Sequence, residues 1–256
     1  MNPSTGHPAG QTGSAAAALG RESSRRAAEH GYAIVRGPDL DKAAFSELVK
    51  AIGDLSDHRF GTGEAGLLDL DASPDPEKVI TGRSQLPLHT DGALVGSSPK
   101  FIVLYCHAFE QPEGSGCTEV CIQRDFLQTA TPGQQRVLAG EWEYFVTDAS
   151  HFPDVANRWI SVPATLPGSL GPRLNLAMPF GGDPAGWQVR LPGVSAERSR
   201  EALRELEARM RATASFYTHE WAAGDLLVLD NELVLHGRTS IRAGGRRHLF
   251  RGQVNG

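Results

Sequence analysis

Two short apolar runs separated by turn residues dominate positions 221–254, which read WAAGDLLVLDNELVLHGRTSIRAGGRRHLFRGQV. The run at 226–229 is entirely branched and apolar, which is typical of a buried strand, and the Gly-Asp pair before it signals a turn. The run at 248–254 follows Gly244 and Gly245 and is again short and apolar. This stretch therefore predicts a β structure with tight connections.

The same pattern of short apolar runs recurs earlier in the chain. Short runs with β character lie at residues 79–80, 101–105, 118–122, 144–147, 158–162, 174–178 and 187–191. Such spacing favours a sandwich or barrel over βαβ units. One long helix interrupts the series, with Ser195 as its N-cap and Leu203, Leu206 and Met210 as its buried stripe.

The chain is predicted to be mainly β with flanking helices packed on an antiparallel core. Residues 1–19 are rich in Gly, Ala, Ser and Pro, which predicts a disordered tail. Residues 20–256 contain no internal repeat and no region of clearly different composition, so a single domain is expected.

Composition excludes several classes of function. The chain has 256 residues, 40% of them hydrophobic, and a formal net charge of -5. Basic residues are mixed with carboxylates, so no nucleic-acid surface is expected. No run approaches the ~18 apolar residues of a membrane helix, and no signal peptide is apparent. Three cysteines, an odd number, fit a reducing compartment, and a cytoplasmic protein is predicted. The sequence leaves the oligomeric state open, a homo-oligomer included.

A metal site is predicted from His89, Asp91 and His236. The side chains of residues i and i+2 of an extended segment point the same way, so His89 and Asp91 can coordinate one ion. His236 follows the buried run at 226–229, where a rigid core could present it, although it lies far from Asp91 in the chain. Two histidines and one carboxylate leave octahedral positions open, which suits iron(II) oxygen chemistry.

Arg247 and Arg251 lie four positions apart, so on a strand they face the same side. The residues between them are apolar enough to be buried, and a buried guanidinium requires an anion. Because the planar fork of arginine matches carboxylates bidentately, a dicarboxylate cosubstrate and an acidic substrate are expected.

In combination these motifs resemble the taurine dioxygenase and clavaminate synthase superfamily of iron(II)/2-oxoglutarate oxygenases, most of all its carbapenem synthase branch. The likeness runs from about Tyr32 to the C-terminus. Three segments carry it, ITGRSQLPLHTDGAL at 80–94, PAGW at 184–187, and WAAGDLLVLDN at 221–231 with the histidine and arginines beyond.

The resemblance implies a double-stranded β-helix, or jelly roll, and the cofactors iron(II), 2-oxoglutarate and O2. It identifies His89, Asp91 and His236 as iron ligands and Arg247 with Thr118 as the site of the distal carboxylate of 2-oxoglutarate. It identifies Arg251 and Trp187 as substrate-binding residues. Gln85 and Arg83, which precede the metal ligands in the chain, are further candidates, because they either face the substrate or tie a loop. The expected reaction is hydroxylation, desaturation or ring formation on a small, carboxylate-bearing, amino-acid-derived metabolite of antibiotic-like biosynthesis.

Two alternatives stay open at this point. A zinc hydrolase could use the same three ligands, although zinc would not explain Arg247, Arg251 and Thr118. A binding module without catalysis could retain the scaffold, but such a module would be expected to lose a metal ligand.

Overall fold

The computed structural model describes residues 9–56, 67–72, 79, 81–149, 152–182 and 186–255. Within them the helices are Ala9–His30 (α1), Lys42–Lys50 (α2), Gln123–Thr129 (α3), Pro132–Leu138 (α4) and Ala196–Arg211 (α5). The strands are Tyr32–Val35 (β1), Leu67–Asp71 (β2), Leu86–His89 (β3), Phe101–Phe109 (β4), Thr118–Ile122 (β5), Glu141–Val146 (β6), Trp159–Pro163 (β7), Thr165–Gly168 (β8), Gly171–Leu174 (β9), Trp187–Arg190 (β10), Tyr217–His219 (β11), Leu226–Asp230 (β12), Val234–Arg238 (β13) and Arg247–Val254 (β14).

The strands form two main sheets. The five-stranded sheet has the order β1-β12-β4-β14-β2, and the four-stranded sheet has the order β11-β5-β13-β3. A three-stranded sheet, β10-β6-β7, and the hairpin β8-β9 complete the architecture. Every ladder between these strands is antiparallel. The prediction of a mainly antiparallel β protein with flanking helices is therefore confirmed.

The apolar runs have both faces covered. On β4, Ile102 and Leu104 pack between the two main sheets, whereas Val103 and Tyr105 pack under α1 and α2. The same alternation on β12 explains its unbroken apolar run, because each face of that strand meets a different layer. The outer face of the four-stranded sheet is covered in turn by the three-stranded sheet and α5.

The first helix begins earlier than predicted. Residues 9–19 were expected to belong to a disordered tail, but they form the first half of α1, and the side chain of Ala16 is 3% exposed in the core. The reason is the high helix propensity of alanine, which fills positions 15–18. Residues 1–8 of the predicted tail lie outside the described residues.

Most of the predicted strands form, with bounds that shift by a few residues. Helix α5 begins after Ser195 as predicted, and the Ser195 hydroxyl accepts a hydrogen bond from the Arg198 amide at 3.3 Å. Val79 lies in a turn rather than in a strand, and Ile80 lies outside the described residues. In the described part of the chain, no helix combines the length and the apolar character needed to cross a membrane.

Candidate metal centre and the cavities beside it

Strands β3 and β13 bring the predicted metal ligands together. They are antiparallel neighbours, and His89 on β3 lies directly opposite His236 on β13. Asp91 follows β3 by two residues. The ladder is irregular here. His236 and Arg238 are two positions apart on β13, but their partners on β3, His89 and Leu86, are three positions apart. Such a bulge re-aims side chains and is common beside functional sites.

Each of the three residues offers a ligand atom within 4.8 Å of the others. The Oδ1 atom of Asp91 lies 3.3 Å from Nε2 of His89 and 3.8 Å from Nε2 of His236. All three side chains are buried. One ion placed between these atoms could therefore contact all of them.

The protonation states fit a metal. Burial, together with nearby His89, lowers the pKa of His236 to about 3, so its ring is neutral and free to coordinate. Nδ1 of His89 lies 2.8 Å from the carbonyl oxygen of Pro87, to which it donates, and this leaves Nε2 as the lone-pair donor. Burial opposes the ionisation of Asp91, but Arg251 and the histidines outweigh it and hold the pKa of Asp91 well below its usual range. The donor set is two imidazoles and one carboxylate, which is a known donor set for iron(II).

The two oxygens of Asp91 have different partners. Oδ1 faces the histidines, whereas Oδ2 accepts hydrogen bonds from the guanidinium of Arg251 and, at 2.7 Å, from the amide of Gln253. The anion predicted to pair with the buried Arg251 is therefore the carboxylate of Asp91, which is itself one of the three metal ligands. Gln253 was not predicted, although its position two residues after Arg251 on β14 was a usable signal.

The backbone of Asp91 is held from both sides. The side-chain oxygen of Asn231 accepts from the Asp91 amide at 2.9 Å, and its Nδ2 donates to the carbonyl oxygens of Asp91 at 3.0 Å and Pro99 at 2.9 Å. The Thr90 amide in turn donates to the carbonyl oxygen of Leu176 at 2.9 Å. These contacts fix the loop that carries the carboxylate ligand.

A small cavity beside the triad is lined by Arg247 and Thr118 together with both histidines. Arg247 is buried, and its Nε donates to the Gly116 carbonyl at 2.9 Å. Burial lowers the pKa of Arg247 to about 10, so it stays charged at neutral pH. Among the described residues, no carboxylate pairs with this guanidinium.

Arg238 lines this cavity as a third buried arginine beside Arg247 and Arg251, and it was not predicted from the sequence. It lies two residues after His236 on β13, the same spacing that identified the first two ligands. Its Nη2 donates to the carbonyls of Gly82 and Ser84 at 2.6 and 2.8 Å. Burial and the charge of Arg247 lower the pKa of Arg238 to about 9.

A second cavity beside the triad is lined by Asp91 and shares His89 and Arg251 with the first. Its lining includes Trp187, Phe152 and Arg251, with further aliphatic side chains. The Trp187 indole donates to the Met178 carbonyl at 2.9 Å, and its ring centroid lies 6.4 Å from that of His89. Trp187 is thus both a core residue and a wall of this cavity.

Gln85 and Arg83 lie elsewhere. Gln85 is exposed, and neither side chain lines the two cavities beside the triad. The backbone carbonyl of Arg83 accepts from the Ile241 amide at 2.8 Å. The linings of these two cavities therefore give no support to Gln85 or Arg83 as substrate contacts, and the loop-tying interpretation stays a prediction.

An antiparallel β scaffold that carries a buried two-histidine, one-carboxylate triad, flanked by a cavity with charged arginines, defines a class of protein, the non-haem iron(II) oxygenases. The chain belongs to the taurine catabolism dioxygenase TauD, TfdA family, whose model matches residues 3–253.

Relatives and solved structures agree with this class. The chain is 25% identical over 228 residues to the 3-((Z)-2-isocyanoethenyl)-1H-indole synthase of Fischerella ambigua, covering 87% of this chain and 81% of the relative. It is 23% identical over 234 residues to the tyrosine isonitrile desaturase of Erwinia amylovora, covering 89% and 78%. Asparagine oxygenase, solved with Fe(II), 2S,3S-3-hydroxyasparagine and succinate, superposes with a TM-score of 0.71 at 23% identity, covering 93% of this chain and 79% of that chain.

The enzyme is therefore an iron(II)- and 2-oxoglutarate-dependent dioxygenase, with iron(II), 2-oxoglutarate and O2 as its cofactors. Nothing in the fold, the site or these relatives favours the zinc hydrolase alternative. None of the three proteins just named is a carbapenem synthase, so the resemblance to that branch stays a prediction.

Proposed function

We propose that this enzyme oxidises a small, carboxylate-bearing, amino-acid-derived metabolite in specialised biosynthesis, by hydroxylation, desaturation or ring formation. The convergence of His89, Asp91 and His236 within 4.8 Å carries the proposal. The names of the isonitrile-forming relatives and of asparagine oxygenase support an amino-acid-derived substrate. We further propose that the two main sheets form a double-stranded β-helix, which their face-to-face packing supports.

His89, Asp91 and His236 would hold the metal. Bound iron(II) supplies the oxidative decarboxylation of 2-oxoglutarate by O2 to succinate and CO2, coupled to the oxidation of a substrate C–H bond. The chain prepares for this by keeping the His236 ring neutral and Asp91 ionised. Because Arg251 and Gln253 occupy Oδ2, Oδ1 is left facing the two histidines, where the metal would bind.

Arg247 and Thr118 would hold the distal carboxylate of 2-oxoglutarate. The proposal rests on a buried, charged guanidinium that no described carboxylate neutralises, next to a hydroxyl in the same cavity. A carboxylate there would form charge-assisted hydrogen bonds in a low-dielectric environment.

The substrate would lie in the second cavity, which Asp91 and Trp187 line. Its lining of Trp187, Phe152 and aliphatic side chains suits an apolar body. Arg251 also lines this cavity, and we propose that it faces the acidic group while retaining its bond to Asp91. The cytoplasmic location and a homo-oligomeric state stay predictions.

The proposal is tested by anaerobic titration of the iron-loaded protein with 2-oxoglutarate, followed by exposure to air with a panel of amino acids and their isonitrile derivatives. We expect a visible charge-transfer band on titration, and succinate release that a true substrate stimulates. Arg247→Ala should raise the half-saturating 2-oxoglutarate concentration at least roughly tenfold, because a charged hydrogen bond is lost.

Two variants serve as controls for this test. Arg246→Ala removes the neighbouring but exposed guanidinium and should leave the titration unchanged. His236→Ala should abolish succinate release. A wild-type protein that shows neither the band nor succinate with any candidate would contradict the proposed function.

A further inference from the structure

The hydroxyl of Thr118 is held by a tryptophan that lies outside the cavity wall. Trp221 follows β11 and is 4% exposed, and its indole Nε1 lies 3.1 Å from Oγ1 of Thr118. The two residues are more than a hundred positions apart in the chain. Thr118 lines the small cavity beside the triad, whereas Trp221 does not.

The direction of this hydrogen bond is fixed by chemistry. An indole N–H can only donate, whereas a hydroxyl carries one donor hydrogen and two acceptor lone pairs. Trp221 must therefore donate to Thr118, and this orients the lone pairs of Oγ1 toward the indole. The hydroxyl hydrogen of Thr118 is then left to donate elsewhere, and a carboxylate oxygen beside Arg247 would be its natural acceptor.

The indole itself is held rigidly. His219 on β11 is the register partner of Thr118 on β5, and its ring meets the Trp221 ring edge-on with centroids 4.4 Å apart. Burial, with a contribution from Arg36, lowers the pKa of His219 to about 4, so this neighbour carries no charge at neutral pH. Trp221 also packs in the core between the two main sheets. The N–H direction is thus set before any ligand arrives, which lowers the cost of binding.

We propose that Trp221 is a positioning residue for 2-oxoglutarate, acting through the Thr118 hydroxyl that it orients toward the distal carboxylate of the cosubstrate. This inference rests on the proposed function, in which Thr118 and Arg247 bind that carboxylate. Among the described residues that line the two cavities beside the triad, Trp221 does not occur.

The test is the anaerobic 2-oxoglutarate titration on the iron-loaded protein, which reads binding without turnover. Trp221→Phe keeps an aromatic ring but removes the N–H, and we expect roughly a three- to tenfold rise in the dissociation constant of 2-oxoglutarate, the value of one neutral hydrogen bond. At saturating 2-oxoglutarate, kcat should stay within about twofold of the wild type, because the reacting groups are untouched.

A matched control separates positioning from general loss of packing. Trp142 is fully buried, and its indole also donates one hydrogen bond, to the Val137 carbonyl at 3.0 Å, in a different core cluster. Trp142→Phe should leave the dissociation constant unchanged. An equal rise in both variants would overturn the proposal.

A double-mutant cycle tests the route through Thr118. In a Thr118→Val background, Trp221→Phe should no longer change the dissociation constant, since no hydroxyl remains to be oriented. If the rise persists there, or if Trp221→Phe binds like the wild type, the inference is wrong.

Thr118→Ser supplies a test that does not depend on the folding of Trp221→Phe. Serine keeps a hydroxyl for the indole and should bind 2-oxoglutarate nearly as well as threonine, whereas Thr118→Val should not. Equal binding by these two variants would overturn the proposal. A wild-type protein that gives no titration signal would instead count against the proposed function itself.

Discussion

At the scale of single residues, the centre is organised around Asp91. Its side chain carries the only formal negative charge of the triad, and one oxygen faces the histidines while the other is held by Arg251 and Gln253. Its backbone is clamped on both sides by Asn231, which is fully buried. A ligand that cannot rotate or shift binds metal with less loss of entropy, so the surrounding contacts matter as much as the carboxylate.

Asn231→Asp tests this clamp. The change keeps the shape of the side chain but places a carboxylate oxygen against the carbonyl oxygens of Asp91 and Pro99, where Nδ2 now donates. We expect the free energy of unfolding to fall by about 2 kcal/mol or more, and iron(II) affinity, measured by chelator competition, to fall at least about tenfold.

Asn175→Asp is the matched control for this change. Asn175 is also buried, and its Nδ2 donates to the Pro163 carbonyl at 3.0 Å rather than to the backbone of a metal ligand. It should lose stability but keep its iron affinity. Wild-type iron affinity in Asn231→Asp would show that the clamp is not needed.

At the scale of elements, the antiparallel pair β3 and β13 forms the site. One strand carries His89 and the other carries His236 and Arg238, and Gly237 lies between the last two. A Cβ atom on Gly237 would lie 2.8 Å from the Leu86 carbonyl oxygen, which belongs to the backbone of β3. The close approach of the two strands therefore requires glycine at this position.

Gly237→Ala should push β3 away from β13 and separate the two histidines. We expect a loss of about 1–3 kcal/mol in the free energy of unfolding, the usual cost of overpacking, together with weaker iron(II) binding in the chelator competition. The effect arises from backbone contact, so no side-chain rearrangement can relieve it.

Gly133→Ala makes the same chemical change in α4, where the nearest atom to the added Cβ is 3.8 Å away. It should leave iron affinity unchanged and raise stability by about 0.5–1 kcal/mol, because alanine is the better helix former. Equal iron binding in both glycine variants would argue against strand spacing as the determinant of the metal site.

At the scale of the whole molecule, the two main sheets are stacked with helices on one outer side and the third sheet and α5 on the other. The stacking buries polar groups as well as apolar ones. His219 is fully buried near Asp225, with its Nε2 3.4 Å from Oδ2 of that residue. Its pKa near 4 lies below the ordinary value of 6.5 because of burial and the charge of Arg36.

The depressed pKa of His219 predicts acid sensitivity of the fold. The unfolded chain binds a proton at His219 below pH 6.5, but the folded chain does so only near pH 4. The unfolded state therefore holds more protons in this window, and stability falls as the pH drops through it. The full contribution is on the order of 3 kcal/mol.

The measurement is the free energy of unfolding of the metal-free protein between pH 7 and 4, compared with His219→Gln. In the wild type the Tyr217 hydroxyl lies 3.1 Å from Nδ1 of His219. Glutamine can keep a hydrogen bond to this hydroxyl but does not titrate, so the variant should lose less stability on acidification. Parallel pH profiles for the two proteins would contradict the assignment. All other titrating groups are common to both and cancel in the comparison.

Much of the local structure could be predicted. The runs at 101–105, 118–122 and 226–229 form strands β4, β5 and β12, because short apolar segments between turn residues have few alternatives. The prediction of a disordered tail is wrong over residues 9–19. It rested on composition and neglected the high helix propensity of the four consecutive alanines at positions 15–18.

The sequence by itself determined which side chains could bind a metal and which segments were strands, since periodicity and residue chemistry are local properties. Only the tertiary structure decided that His236 lies opposite His89, that Arg251 finds its anion in Asp91, and that Trp221 reaches Thr118. These contacts depend on strand register and sheet packing between residues distant in the chain. Such pairings are set by the whole core and leave no periodic signal in either partner.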